Sequence, residues 1–178
     1  TSWRVARPFD DVEGACTWLV QRTETLASSP VEPASARADY ARMMTELQGK
    51  IGETVILKYH GIGLCSAYDA MGLELFVYFV HDHADVFAEY MAASAANTLE
   101  WVNAVADRAL SPVILIAEDF ATKQGPIFPP DFMHRYHYPY VEQVTAAWHE
   151  HGVKVLYHSD GNYRKAIPDL IACGVDGF

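Results

Sequence analysis

Val113-Ile114-Leu115-Ile116-Ala117, followed at once by Glu118-Asp119, is the stretch that decides the fold. Five apolar residues in a row, three of them β-branched, suit a strand covered on both faces in a parallel sheet. Ser111-Pro112 closes a helical stretch just before it, and Glu118 to Asp131 reads as a loop rich in Gly and Pro. Working outward, Thr54-Val55-Ile56-Leu57-Lys58-Tyr59 reads as an earlier strand and Val153-Lys154-Val155-Leu156-Tyr157 as a later one. Val175-Asp176-Gly177-Phe178 starts one more. Helical spacing is expected over about 67–80, 84–109, 138–151 and 163–173, with Asp82 of His81-Asp82-His83 capping the second of these. Two helices precede the strands, at 10–27 and 34–51, joined by Ser28-Ser29-Pro30-Val31-Glu32-Pro33.

Strand and helix alternate, which predicts parallel βαβ units with right-handed crossovers. About four strands are counted and the last is cut off as it begins, whereas a full eight-stranded barrel takes about 250 residues. The expectation is an α/β fragment of a parallel (β/α)8 TIM-type barrel. It is one partial domain over 1–178, with a helical lead-in over about 1–53 and βα units over about 54–178. A small doubly wound sheet is the alternative.

The 178 residues are 51% hydrophobic and 20% charged, as in an ordinary globular domain. The formal net charge of −10 argues against nucleic acid or an anionic membrane as partner, since both need a basic footprint. Cys16, Cys65 and Cys173 are odd in number and hold no CxxC pair, so buried reduced thiols and a cytoplasmic location are expected. Lys58, Asp82, Asp107 and Glu118 interrupt every apolar run that approaches a membrane span, and Thr1-Ser2-Trp3-Arg4 does not open a signal peptide.

In parallel α/β proteins the polar residues just past the carboxyl ends of strands are the default site candidates. Glu118 and Asp119 follow one strand and could serve as metal ligand, general base or substrate anchor, or Asp119 could simply accept loop amides. His158, Ser159, Asp160 and Asn162 follow another. Histidine is a common metal ligand and proton shuttle, and Gly161 lets the backbone turn close to a ligand. Lys58, Tyr59 and His60 end the first strand, where Tyr59 and His60 are candidate substrate-binding groups beside Asn162. The pairs His81/His83, His134/His137 and His149/His151 read as surface or helix-end residues. No P-loop, GxSxG or HExxH pattern is present.

The ordered set Ala117-Glu118-Asp119-Phe120-Ala121, Gly125-Pro126-Ile127-Phe128-Pro129-Pro130, Pro139-Tyr140, His158-Ser159-Asp160-Gly161, Ile167-Pro168-Asp169-Leu170-Ile171 and Gly174-Val175-Asp176-Gly177 resembles the uroporphyrinogen decarboxylase superfamily. Ala70-Met71-Gly72-Leu73-Glu74 fits as well, so the resemblance covers about 50–178. It implies a (β/α)8 barrel and one of two chemistries. One is cofactor-free decarboxylation of uroporphyrinogen in porphyrin biosynthesis, a carboxy-lyase reaction. The other is methyl transfer involving thiols or corrinoid proteins, with zinc polarising the thiol. Nothing before Arg37 matches the decarboxylases' Arg-rich motif, and Asp160 stands where the zinc methyltransferases carry Cys.

The leading expectation from the resemblance is therefore a methyltransferase-like enzyme. It would move a methyl group from a small methylated or methoxylated compound to a corrinoid protein. In it, His158 and Asp160 orient the substrate or a metal (zinc or another divalent ion), while Glu118 or Asp119 acts as acid, base or supporting partner. The alternatives are uroporphyrinogen decarboxylase and an inactive barrel that binds a ligand or partner. A homodimer is a further expectation.

Overall fold

The computed structural model describes residues 7–178. The start Thr1–Arg4 and the first six positions of the helical lead-in lie outside them. Two helices, α1 (Val12–Ser28) and α2 (Pro33–Ile51), precede the sheet. Asp11 caps α1 by accepting from the Gly14 amide at 2.8 Å, and the Glu32 carboxylate accepts from Ala34 and Ser35 at the start of α2. Strand β1 (Lys58–His60) leads to α3 (Leu64–Met71), α4 (Leu73–Asp82) and α5 (Ala84–Val105). Strand β2 (Val113–Ala117) leads to α6 (Pro130–Tyr136) and α7 (Tyr138–Glu150). Strand β3 (Lys154–His158) leads through a 3-10 turn (Arg164–Ala166) to α8 (Ile167–Ala172).

The three strands are all parallel and lie in chain order, β1-β2-β3. Gly177 continues the series with a parallel bridge to Leu156, and Asp176 and Gly177 exchange backbone hydrogen bonds with Val155 and Tyr157. A monotonic order has no reversal point, which a doubly wound sheet requires.

One face of the sheet is the core. Ile114, Ile116, Val155 and Tyr157 are buried there beneath α5 and α7, with Trp148 and Phe87 wholly enclosed. The other face is open. Tyr59, Leu115 and Leu156 stand in one row across it, and Ala117 and His158 in the next. Tyr59 on this face is 67% exposed, and the side chains of β2 and β3 that share it are half-buried or exposed. Strand sequence alternation places these two sets on opposite sides of the pleat.

Several boundaries differ from the expected ones. Thr54–Leu57 is not strand: β1 begins only at Lys58, which pairs with Ile114. The helix expected over 67–80 is two, broken where Gly72 adopts φ +74. Asp82 does not cap α5. It ends α4 and accepts from His81 Nδ1, while His83 takes the cap position without a side-chain bond. His137 is a helix-end residue, yet wholly buried, with Nε2 2.7 Å from the Tyr157 hydroxyl. Among the described residues no helix is long and apolar enough to cross a membrane.

Candidate functional site

The carboxyl ends of β2 and β3 are stitched side by side. Ala117 pairs with His158, and the Glu118 amide donates to the His158 carbonyl at 3.0 Å. The buried Ser159 hydroxyl accepts from the Phe120 amide at 3.1 Å and donates to the Asp160 carbonyl at 3.1 Å. Asn162 donates its amide to the Thr122 carbonyl at 2.7 Å. Gly161 sits between, at φ +86, and a Cβ there would lie 2.6 Å from the Ala121 carbonyl oxygen. The turn thus requires glycine both for its dihedral and for its closeness to the neighbouring loop.

This stitching brings three expected residues together on the open side. His158 Nε2 lies 3.6 Å from Asp119 Oδ1 and 3.5 Å from Asp160 Oδ1. The Asp160 amide donates to Asp119 Oδ1 at 2.6 Å, which fixes one carboxylate against the loop that carries the other. One ligand atom from each of the three residues lies within 4.8 Å of the other two, and all three side chains are exposed. Donor atoms bound to one small divalent ion at about 2.1 Å stand about 3.0–3.5 Å apart, and the two distances from His158 lie close to that range. The set is two carboxylates and an imidazole, without a thiolate. That chemistry suits borderline and hard divalent metals.

Glu118, expected as an acid or base, does not join them. Its carboxylate is buried at 1% exposure and points the other way, under the loop between β1 and α3. It accepts from the Ile62 amide, from Gly63 at 2.8 Å and from Cys65 at 2.7 Å. A carboxylate so occupied, at the amino end of a helix where negative charge is favoured, is committed to the loop amides and has no route to a substrate.

His60 also turns away. Adjacent strand residues face opposite sides, so Tyr59 stands on the open face while His60 enters the helical layer. There its ring lies 5.6 Å from Trp101 and 5.9 Å from Trp148. Nδ1 donates to the Gly61 carbonyl at 3.1 Å and Nε2 accepts from the Trp148 indole at 3.1 Å. Burial lowers its pKa, and both nitrogens are engaged, so this imidazole is a neutral packing group and not a substrate ligand. Asn162 is exposed, and its side-chain oxygen accepts from the Arg164 amide at 3.3 Å, at the start of the 3-10 turn.

Two contributors were not legible in the strand ends. Tyr68 Oη donates to the Asp119 carbonyl at 2.6 Å, and Cys65 Sγ donates to the same oxygen at 3.4 Å. Both lie on α3, three residues apart and hence on one face. Their position in the first turns after a βα loop is the signal that could have found them. Burial, with Glu118 and Asp69 beside it, pushes the Cys65 thiol far up, so it is held protonated.

No protein-family model matches this chain, and no curated protein does. Among solved structures it is similar to a methyltransferase from Methanosarcina mazei, with a TM-score of 0.59 at 16% identity. The match takes in 76% of this chain and 39% of that one, so the chain spans well under half of that protein's length. At this identity the likeness establishes a shared fold.

Proposed function

We propose that this chain is the central part of a (β/α)8 barrel enzyme of the uroporphyrinogen decarboxylase superfamily, in its methyltransferase branch. The reaction would carry a methyl group from a small methylated or methoxylated compound to the cobalt of a corrinoid protein. The bond from methyl to its heteroatom breaks with both electrons left on the heteroatom, which takes up a proton, while reduced cobalt supplies the pair for the new bond. The observation that carries the reading is the convergence of Asp119, His158 and Asp160 at adjacent strand ends on the open face. The fold likeness to a methyltransferase agrees with it.

Asp119, His158 and Asp160 would hold a divalent metal. Bound there, the metal supplies a Lewis acid that polarises the donor's heteroatom. The zinc–thiolate arrangement that the resemblance suggests does not fit, because Asp160 stands where that branch carries Cys and the nearby Cys65 is kept as a thiol. Two carboxylates at the site also disfavour decarboxylation of uroporphyrinogen, whose reacting arms carry the same charge and need cationic partners.

The test is elemental analysis of the intact protein, wild type beside His158→Ala, followed by corrinoid methylation with a panel of methyl donors. Stoichiometric divalent metal in the wild type, lost in the variant, is the expected result. A metal-free wild type would remove the metal from the reading, and methyl-donor turnover without corrinoid would remove the partner.

A further inference from the structure

The cluster depends on where Asp119 is held, and Asp119 is held from behind. Its preceding residue is the buried Glu118, whose carboxylate accepts three amides of the loop that joins β1 to α3. That loop is tied from its other side by α5: the Ser94 hydroxyl donates to the Ile62 carbonyl at 2.6 Å and Tyr90 to the Gly63 carbonyl at 3.3 Å. Gly61 lets the strand end come close, since a Cβ there would lie 3.0 Å from Glu118 Oε1. The far end of the same assembly returns to Asp119, because α3 sends Cys65 and Tyr68 to its carbonyl oxygen.

Glu118 therefore couples the β1–α3 loop, α3 and the end of β2. Amide donors converging at a helix start form a site for an anion, and here the chain fills it from within.

We infer that Glu118 is the positioning residue of the Asp119–His158–Asp160 cluster, a built-in anion that fixes Asp119 through the loop and helix it organises. The inference rests on the metal reading only for its metal-binding readout; the Asp160 amide, bonded to Asp119 Oδ1, reports the same positioning without any ion.

The experiment uses the intact protein with isotope-labelled aspartate, isoleucine, glycine and cysteine, comparing wild type, Glu118→Ala and Glu118→Gln. In Glu118→Ala the amide resonances of Ile62, Gly63 and Cys65 are expected to shift, and that of Asp160 with them. Added formate, a carboxylate small enough for the vacated space, should return all four toward wild type. Titration with divalent manganese should show affinity lower by about 10- to 100-fold in Glu118→Ala, restored by formate. Glu118→Gln keeps the shape but turns an NH2 group on amide donors, so it should weaken the metal without rescue; it carries the test if the alanine variant does not fold. An Asp160 resonance that stays in place while the loop amides move would overturn the inference. So would unchanged loop amides in both variants. A wild type that binds no manganese counts against the metal reading alone, and the four amides still decide the role of Glu118.

Discussion

Replacing Gly161 by Ala should be among the most damaging small substitutions in this chain, and the structure says by how much. The residue sits at φ +86, a region that costs an L side chain about 1–2 kcal/mol. The new Cβ would stand 2.6 Å from the Ala121 oxygen and 2.7 Å from the Thr122 oxygen, where ordinary contact begins at 3.4 Å. Both oxygens belong to backbone that has little freedom. Ala121 bridges Pro126, and the Thr122 carbonyl accepts the Asn162 amide. Overpacking of this kind typically adds about 1–3 kcal/mol, so the total is about 2–5 kcal/mol. Gly49 is the control. It lies exposed near the end of α2 with nothing within 4 Å of its would-be Cβ, and Gly49→Ala should stabilise by about 0.5–1 kcal/mol. Urea unfolding followed by circular dichroism would compare midpoints at constant slope. A Gly161→Ala midpoint within about 0.5 kcal/mol of wild type would refute the reasoning, because neither the dihedral nor the contact would then cost what general sterics assigns.

His137 is held neutral: burial, against a smaller upward pull from Glu118, lowers it to about 4. The unfolded chain takes up that proton near pH 6.5 and the folded chain does not, so stability should fall as pH drops from about 6.5 towards 4. His137→Gln should flatten this window in a pH series of melting temperatures, and an unchanged slope would count against it. Asp176 behaves oppositely in origin. Burial raises its carboxyl, but Lys154, the Val155 amide and His149 outweigh that and hold it at about 2. Its contribution is present above the ordinary carboxylate range and lost as pH falls through about 2, so the Asp176→Asn deficit should shrink in acid. Trp148→Phe keeps most of a wholly buried ring but removes the indole bond to His60, and should cost about 1–3 kcal/mol in the same unfolding assay. Equal stability would mean that His60 finds another donor.

The apolar run of β2 and the alternating run of β3 announced themselves, because a strand between helices must be apolar on the side it buries. β1 was less legible. Thr54–Leu57 has the composition of a strand, yet pairing depends on a neighbour, which composition cannot locate. The same limit shaped the site. Asp119, His158 and Asp160 converge because neighbouring strand ends do so by rule, whereas Glu118 and His60 turn inward, one step of pleat from the expected face. A single step along a strand reverses the face, and only the observed register shows which step points inward. Cys65 and Tyr68 serve Asp119 through its backbone carbonyl, and any sequence leaves such an acceptor unmarked.

The chain-order arrangement of the strands bears on how the fold assembles. Lys58 pairs with Ile114 across 56 positions, Ile114 with Val155 across 41, and Leu156 with Gly177 across 21. Each new strand therefore closes a shorter loop than the one before, and halving a loop spares about 0.6 kcal/mol of closure entropy. β2 and β3 each find a template already made by the segment that left the ribosome before them. Across these strands the sheet grows at one edge in the direction of synthesis, and the slowest of the three pairings is the earliest.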